Sequence, residues 1–321
     1  MSSVEIPQRS DVVIDLRDKA KGQTAPVVKS RTGFLSSARA VSRALTSVTA
    51  LIAGLSAVSA LALWFLFHAF VLTPLQEHGS QARLYAQFRE QLANGVAPLG
   101  GRIKPGSPIE LIDTGLRGMR DLVAVEGTTS EQLTVGPGHL RDTALPGQMG
   151  ESVIFGRSVT YGGPFRDLGR LKPGDAIKVT TGQGTFTYRV DRIRRPGDPP
   201  SPAFPENESR LTLVTSASAG WRSGWAPTHA IYLEASLLGK ALPAPTGRLQ
   251  TVGKSSQPMR GDKALLFPIL WLVGAALVTT GLIWSWRRWG APQTWLVGVP
   301  LAMAVFWGAS GAAVRFLPNL I

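Results

Sequence analysis

The chain has 321 residues, no cysteine, four histidines and a formal net charge of +13. Without cysteine there is no disulfide, thiolate metal ligand or thiol nucleophile, and the scattered histidines offer no metal-ligand spacing, so neither metal nor cofactor is expected. A hydrophobic content of 44% and a mean hydropathy of +0.09 are unusual for a purely soluble protein.

The basic charge is spread along the chain. Met1 to Arg43 holds eight basic and four acidic residues, Thr73 to Asp262 holds 22 and 17, and Lys263, Arg287, Arg288 and Arg315 supply the rest. Nucleic-acid binders concentrate their basic residues in one patch, so no nucleic-acid partner is expected. A mildly basic outward domain better suits anionic cell-wall polymers or lipid headgroups. The densest run, Arg189 to Arg195, would be split between two faces by strand alternation.

Residues 1–43 are poor in aromatics and rich in Ser, Gln, Lys and Arg, a composition that does not offset ordering entropy. They read as a cytoplasmic tail, since Lys29, Arg31, Arg39 and Arg43 precede the first apolar run on the side that basic residues mark as inside. Residues 44–72 carry no charge and end near Pro74, which predicts a transmembrane helix; the run is too long for the core of a cleaved signal peptide. His68 falls near its outer end, at headgroup level. Between 73 and 106 a membrane-proximal segment leads into the next domain. There Gly79 to Gly95 spaces Leu84, Phe88 and Leu92 four apart, the stripe of an amphipathic helix.

From 107 to 241 the pattern changes to short β-branched or aromatic runs between Gly, Pro and Asp: Pro108 to Ile112, Leu122 to Gly127, Ser152 to Phe155, Ala176 to Thr181, Thr185 to Ile193, Arg210 to Thr215 and His229 to Ala235. Seven such runs predict a mainly β domain that is a closed or nearly closed barrel, because closure removes exposed edges. Residues 242–262 read as a Pro/Gly/Ser-rich linker. Residues 264–286 and 292–314 are two further transmembrane helices, joined at 287–291 by a basic turn that belongs inside, with Trp284, Trp286, Trp289 and Trp295 as an interfacial belt. Gly298 with Ala302 and Gly308 with Ala312 permit close helix contact, a weak pointer to self-association. Residues 315–321 form an outer tail. The expected product is a multi-pass plasma-membrane protein with three spans, its N-terminus cytoplasmic and its β domain extracellular.

Within the β domain, GPGHLRDTALPGQMGESVIFGRSVTYGGPFRDLGRLKPGD (Gly136 to Asp175) and TLVTS (Thr212 to Ser216) together resemble the sortases, membrane-anchored cysteine transpeptidases of Gram-positive cell surfaces. Gly136 to Leu140 match the family's GPGHL, and Thr143, Pro146, Gly147, Gly150, Gly156, Pro164, Phe165, Leu168, Leu171, Gly174 and Asp175 match further on. The likeness extends over roughly Ser80 to Leu238. It implies an extracytoplasmic eight-stranded β-barrel with short helices on its connections and a secreted or surface protein or peptide as partner. It also implies where the chemistry would sit, and those positions differ. Glu151 replaces the family's asparagine, Arg157 stands at its catalytic histidine and Ser216 at its nucleophilic cysteine. Thr228 and His229 lie near its arginine.

A serine hydroxyl is a weak nucleophile without an adjacent base, and Arg157 is no base because a guanidinium stays protonated. Two readings follow. In the first the barrel has lost its chemistry and serves as a binding or assembly module. In the second Ser216 is the nucleophile of an acyltransferase or hydrolase on peptide or cell-wall substrates, with His229 as general base and Arg157 as oxyanion stabiliser, which needs Ser216 and His229 within about 3 Å. His139 is read as orienting its loop through a backbone hydrogen bond. Thr212 and Thr215 are read as strand residues, and Tyr161, Phe165, Trp221 and Trp225 as lining the groove. The terminal LPN lacks the threonine and glycine of sorting signals, so the chain is not read as its own substrate.

Overall fold

The computed structural model describes residues 58–116, 118–203, 205, 207–217, 227–245, 247, 253–260 and 266–321, together with Thr49, Ile52, Leu55 and Ser56. The expected tail at 1–43, Trp221 and Trp225 lie outside the described residues. The chain divides into two compact units, 1–59 and 60–321. In the first the described residues are helical; the second holds the barrel, the two later helices and all of α1 beyond its first two residues.

A helix long and apolar enough to cross a membrane, α1 (Val58–Ala93), leads into the barrel. A break near Pro74 and a separate amphipathic helix were expected, but the helix is continuous. A π-helical turn at His68–Leu72 widens the backbone, and Pro74 falls in the first turn of the segment Thr73–Ala93 that follows, where a missing N–H is tolerated. His68 is buried, and its ring meets the edge of Trp307 with ring centroids 5.4 Å apart. The expected stripe does pack: Phe88, Leu84 and Leu92 cover Val123. Gln81 splices helix to barrel, donating from Nε2 to the carbonyls of Val123 (3.0 Å) and Val135 (2.8 Å) and accepting from the Val123 amide.

Eight strands close the barrel in the order β1-β2-β3-β4-β7-β8-β6-β5. They are β1 (Pro108–Asp113), β2 (Leu122–Glu126), β3 (Gly138–His139), β4 (Gly150–Phe155), β5 (Ala176–Thr181), β6 (Gly184–Arg194), β7 (Ser209–Ala217) and β8 (His229–Leu237). Seven match the runs read from sequence. The eighth, β3, is two residues long and bridges β2 and β4. Alternation sends Leu211 and Leu213 of β7 and Leu233 and Ala235 of β8 into the core with Ile112 and Ile154. Val214 of β7 and Ala230 and Tyr232 of β8 face outward with Phe155 of β4. In β6 a register shift between Val190 and Arg192 precedes two arginines that meet one partner. Arg192 and Arg194 both ion-pair with Glu234, so a single carboxylate is shared between two of the run's arginines.

The expected linker is partly docked: Leu242 exchanges hydrogen bonds with Gly147 and Met149 on the barrel. Two further helices long and apolar enough to cross a membrane follow, α2 (Leu266–Trp289) and α3 (Ala291–Phe316). Arg287 and Arg288 belong to the last turn of α2 and not to a loop; the reversal occurs at Gly290, whose φ of 90° suits glycine. Gly298 and Gly308 serve contacts within the chain. A methyl on Gly298 would meet Leu282, and one on Gly308 the ring of Trp271, both on α2. The tail at 315–321 is not loose: α3 runs to Phe316, and Asn319 and Leu320 are fully buried against the barrel.

Candidate functional site

Ser216 lies near the end of β7 on its outward face, opposite Ala230 of β8. Its hydroxyl donates to the Leu320 carbonyl at 2.6 Å and lies 2.7 Å from the Ser158 hydroxyl. The Ser158 amide donates to the same carbonyl at 2.9 Å. The Leu320 oxygen is thus cradled by two hydroxyls and an amide, a hydrogen-bonded rest position for a peptide carbonyl. Thr215, one residue earlier, donates to the Gly156 carbonyl and pins β7 to the end of β4.

Arg157 follows β4 directly and is fully buried. Its guanidinium donates to the carbonyls of Leu133 (2.9 Å), Ser130 (3.2 Å) and Ile321 (2.7 Å) and to the Thr160 hydroxyl (3.1 Å). Tyr161 stacks beneath it at 5.1 Å. Burial lowers its pKa to about 10, with Tyr161 opposing. It is therefore a cation at neutral pH, held by backbone oxygens and one hydroxyl; among the described residues no Asp or Glu side chain pairs with it.

The structure brings Ser216, Thr215, Arg157 and Tyr161 together but leaves the histidines elsewhere. His229 is paired in register with Ala217, and adjacent strand residues point to opposite faces. Its imidazole therefore faces away from Ser216, and its Nδ1 contacts the Thr228 hydroxyl at 3.2 Å. The exchange of roles between Arg157 and His229 lacks the contact it requires. Among the described residues, the partners of the Ser216 hydroxyl are Ser158 and Leu320. Phe165, expected in the groove, sits in the barrel core under Gly156.

His139 belongs to a separate buried cluster. Its Nδ1 meets the Glu126 carboxylate at 3.1 Å and its Nε2 the Ala144 carbonyl at 2.8 Å. Both partners are acceptors, so both ring nitrogens donate when Glu126 is ionised. Burial opposes that charge, but the Glu126 hydrogen bond with the Glu110 and Glu126 carboxylates outweighs it, and the pKa is raised. Glu110 is fully buried on β1, and among the described residues neither of its carboxylate oxygens has a hydrogen-bond partner.

Sequence reasoning missed Ser158, Thr160 and the segment 317–321. The signal for that segment was its composition: an apolar run ending LPNLI right after a helix, with one amide side chain and no charge.

The arrangement defines a membrane-helix-bearing β-barrel with a polar cradle on its outer wall at the junction of β4 and β7. Residues 116–221, which include Arg157 and Ser216, match the family described as Sortase domain; the barrel is a sortase-family domain. Sortase D of Bacillus subtilis (strain 168) is 36% identical over 74 residues, which cover 23% of this chain and 36% of that relative. The match thus spans little more than a third of the relative's length. A Clostridium perfringens Sortase D5 transpeptidase structure aligns with a TM-score of 0.41 at 26% identity, covering 50% of this chain and 99% of that one. Sortase A from Corynebacterium diphtheriae aligns at 0.36 and 23%, covering 50% and 84%.

Proposed function

We propose that this chain is a plasma-membrane protein whose sortase-family barrel faces out of the cell. There it acts as a binding or assembly module for a secreted or surface protein, not as a transpeptidase. The observation that carries this reading is the setting of Ser216. A hydroxyl becomes a nucleophile when a base takes its proton, but this one gives its proton to a carbonyl oxygen, and its neighbour Arg157 is a buried cation. Transpeptidase chemistry, which the name of the Clostridium relative carries, needs a nucleophile that, among the described residues, no side chain of this site is placed to generate. What the site retains is the ability to hold peptide carbonyls, with Ser158, Ser216 and Arg157 as donors.

The membrane placement is supported by packing. Ala69 near the end of the apolar part of α1, Val314 near the end of α3 and Tyr161 of the barrel form one cluster. Both helix ends therefore lie on the barrel's side, while Arg287 and Arg288 lie at the opposite end of α2, where a positive-inside bias puts the cytoplasm.

The test is turnover of a pooled peptide library by the purified full chain, with Ser216→Ala as control. No cleavage or amine transfer by either protein is expected, with peptide bound by the parent and held more weakly by Ser216→Ala. Turnover that disappears in Ser216→Ala would instead establish a serine enzyme.

A further inference from the structure

We propose that the cradle beside Arg157 and Ser216 is a receptor for an extended peptide of the pattern Asn-apolar-apolar, and that residues 317–321 of this chain are its resident occupant. An outside segment of the same pattern gains the site only when this one leaves. The proposal rests on the binding-module reading above and names its ligand.

Three consecutive residues are read, each differently. Asn319 is read through its side chain. Its Nδ2 donates to the carbonyls of Thr128 and Gln257, both at 3.0 Å, and its Oδ1 accepts from the Arg260 amide at 3.2 Å. Its own amide donates to the Arg260 carbonyl at 2.8 Å. Two acceptors and one donor, fully buried, match a carboxamide and no other side chain of that size. Aspartate would set a carboxylate against two carbonyls, and alanine would leave all three groups unpaired. Leu320 is read by shape, buried among Leu133, Phe155 and Val214, with its carbonyl held by Ser158 and Ser216. Position 321 is read through its backbone: its oxygen accepts from Arg157 at 2.7 Å and from the Thr160 hydroxyl. Backbone oxygens held by fixed donors with side chains in pockets are the usual means of binding an extended peptide.

The occupant is also separable from the fold. The barrel's interior core contains none of residues 317–321. The bonds that hold the segment come from loops, turns and side chains; no strand ladder includes it. Its departure would open a site whose Arg157 keeps three of its four hydrogen-bond partners.

The absence of cysteine makes the test direct. Ser216→Cys introduces a single thiol under Leu320, and its alkylation by a soluble maleimide in the full chain, in nanodiscs, reports whether the segment is seated. Slow alkylation is expected, rising at least tenfold when Asn319→Ala and Leu320→Asp are added. Free Leu-Pro-Asn-Leu-Ile peptide should restore protection, and the same peptide with Asp in place of Asn should not. Lys172→Cys, on an exposed connection, should react equally fast in both backgrounds. If the double change unfolds the chain, Asn319→Ala alone carries the comparison. Equal rates with and without the segment changes would overturn the proposal, as would equal protection by the Asn and Asp peptides. A stable mass increase on the unmodified chain's Ser216 with the peptide would defeat the non-catalytic reading and leave occupancy standing.

Discussion

Burial at single residues decides the chemistry of this barrel, and it acts differently on its two polar clusters. At Arg157 the cost of burying a cation is offset by four hydrogen bonds to oxygen, so the charge persists. At Glu110 no hydrogen bond offsets it. Burial first, with His139 opposing and Glu126 adding, pushes its carboxyl up to about 7. A folded value above the unfolded one means that the native state holds the proton more tightly. Its contribution to stability is therefore complete below about pH 4.5, shrinks as pH rises through about 7 and is flat beyond, a loss on the order of 3 kcal/mol. His139, also raised, works in the same direction: its contribution is present below about pH 6.5 and is lost as pH rises through the folded value. Glu110→Gln removes the ionisation while keeping the shape. The variant should melt several degrees above the parent at pH 8 and show a shallower fall in melting temperature between pH 5 and 7.5. An unchanged slope, measured by circular dichroism across that range, would remove Glu110 as its source.

Among the elements, those with a strong local period were legible in the sequence. Seven strands and three apolar helices announce themselves because each repeats one face over several residues. The two-residue β3 has no period to read; it exists because Gly138 and His139 fit between β2 and β4, where a side chain at 138 would strike the Gly127 carbonyl. The continuity of α1 past Pro74 depends on a π turn that no composition signals, and the inward turn of Phe165 depends on the space left by Gly156. Glycine spacing on α3 was readable, but its partner was not. Gly308 faces the Trp271 ring, with only 2.0 Å left for a methyl carbon. Between membrane helices such fit replaces the hydrophobic effect as the source of association. Gly308→Ala should therefore lower the unfolding midpoint in micelles by an amount equivalent to about 1–3 kcal/mol. Combining it with Trp271→Ala should recover part of that loss. Full additivity of the two changes would mean that the helices do not meet at this pair.

For the whole molecule, the three helices and the occupied cradle are one mechanical problem, because the segment that fills the cradle begins where α3 ends. The Tyr161 amide donates to the Thr73 hydroxyl at 2.9 Å, and Trp64 of α1 donates to Ser310 of α3 at 3.1 Å. The loop carrying Arg157, the end of α1's apolar part and the end of α3 are therefore tied together. A single anchor would hold the barrel near the bilayer. If α2 and α3 cross the bilayer and return, that passage additionally delivers residues 317–321 to the outer wall of β4 and β7 from a helix end packed beside Tyr161. That delivery works only if barrel and α3 terminus share one side of the membrane and the α2–α3 turn lies on the other. Single thiols in the cysteine-free chain test this. Lys172→Cys on the barrel should react with a membrane-impermeant maleimide in intact cells. Trp289→Cys, which leaves Arg287 and Arg288 in place, should react only after permeabilisation. The reverse pattern would invert the orientation and put the cradle in the cytoplasm. Reaction at both sites in intact cells would mean that α2 does not cross the bilayer, and α3 would then have to reach the barrel without a return through the membrane.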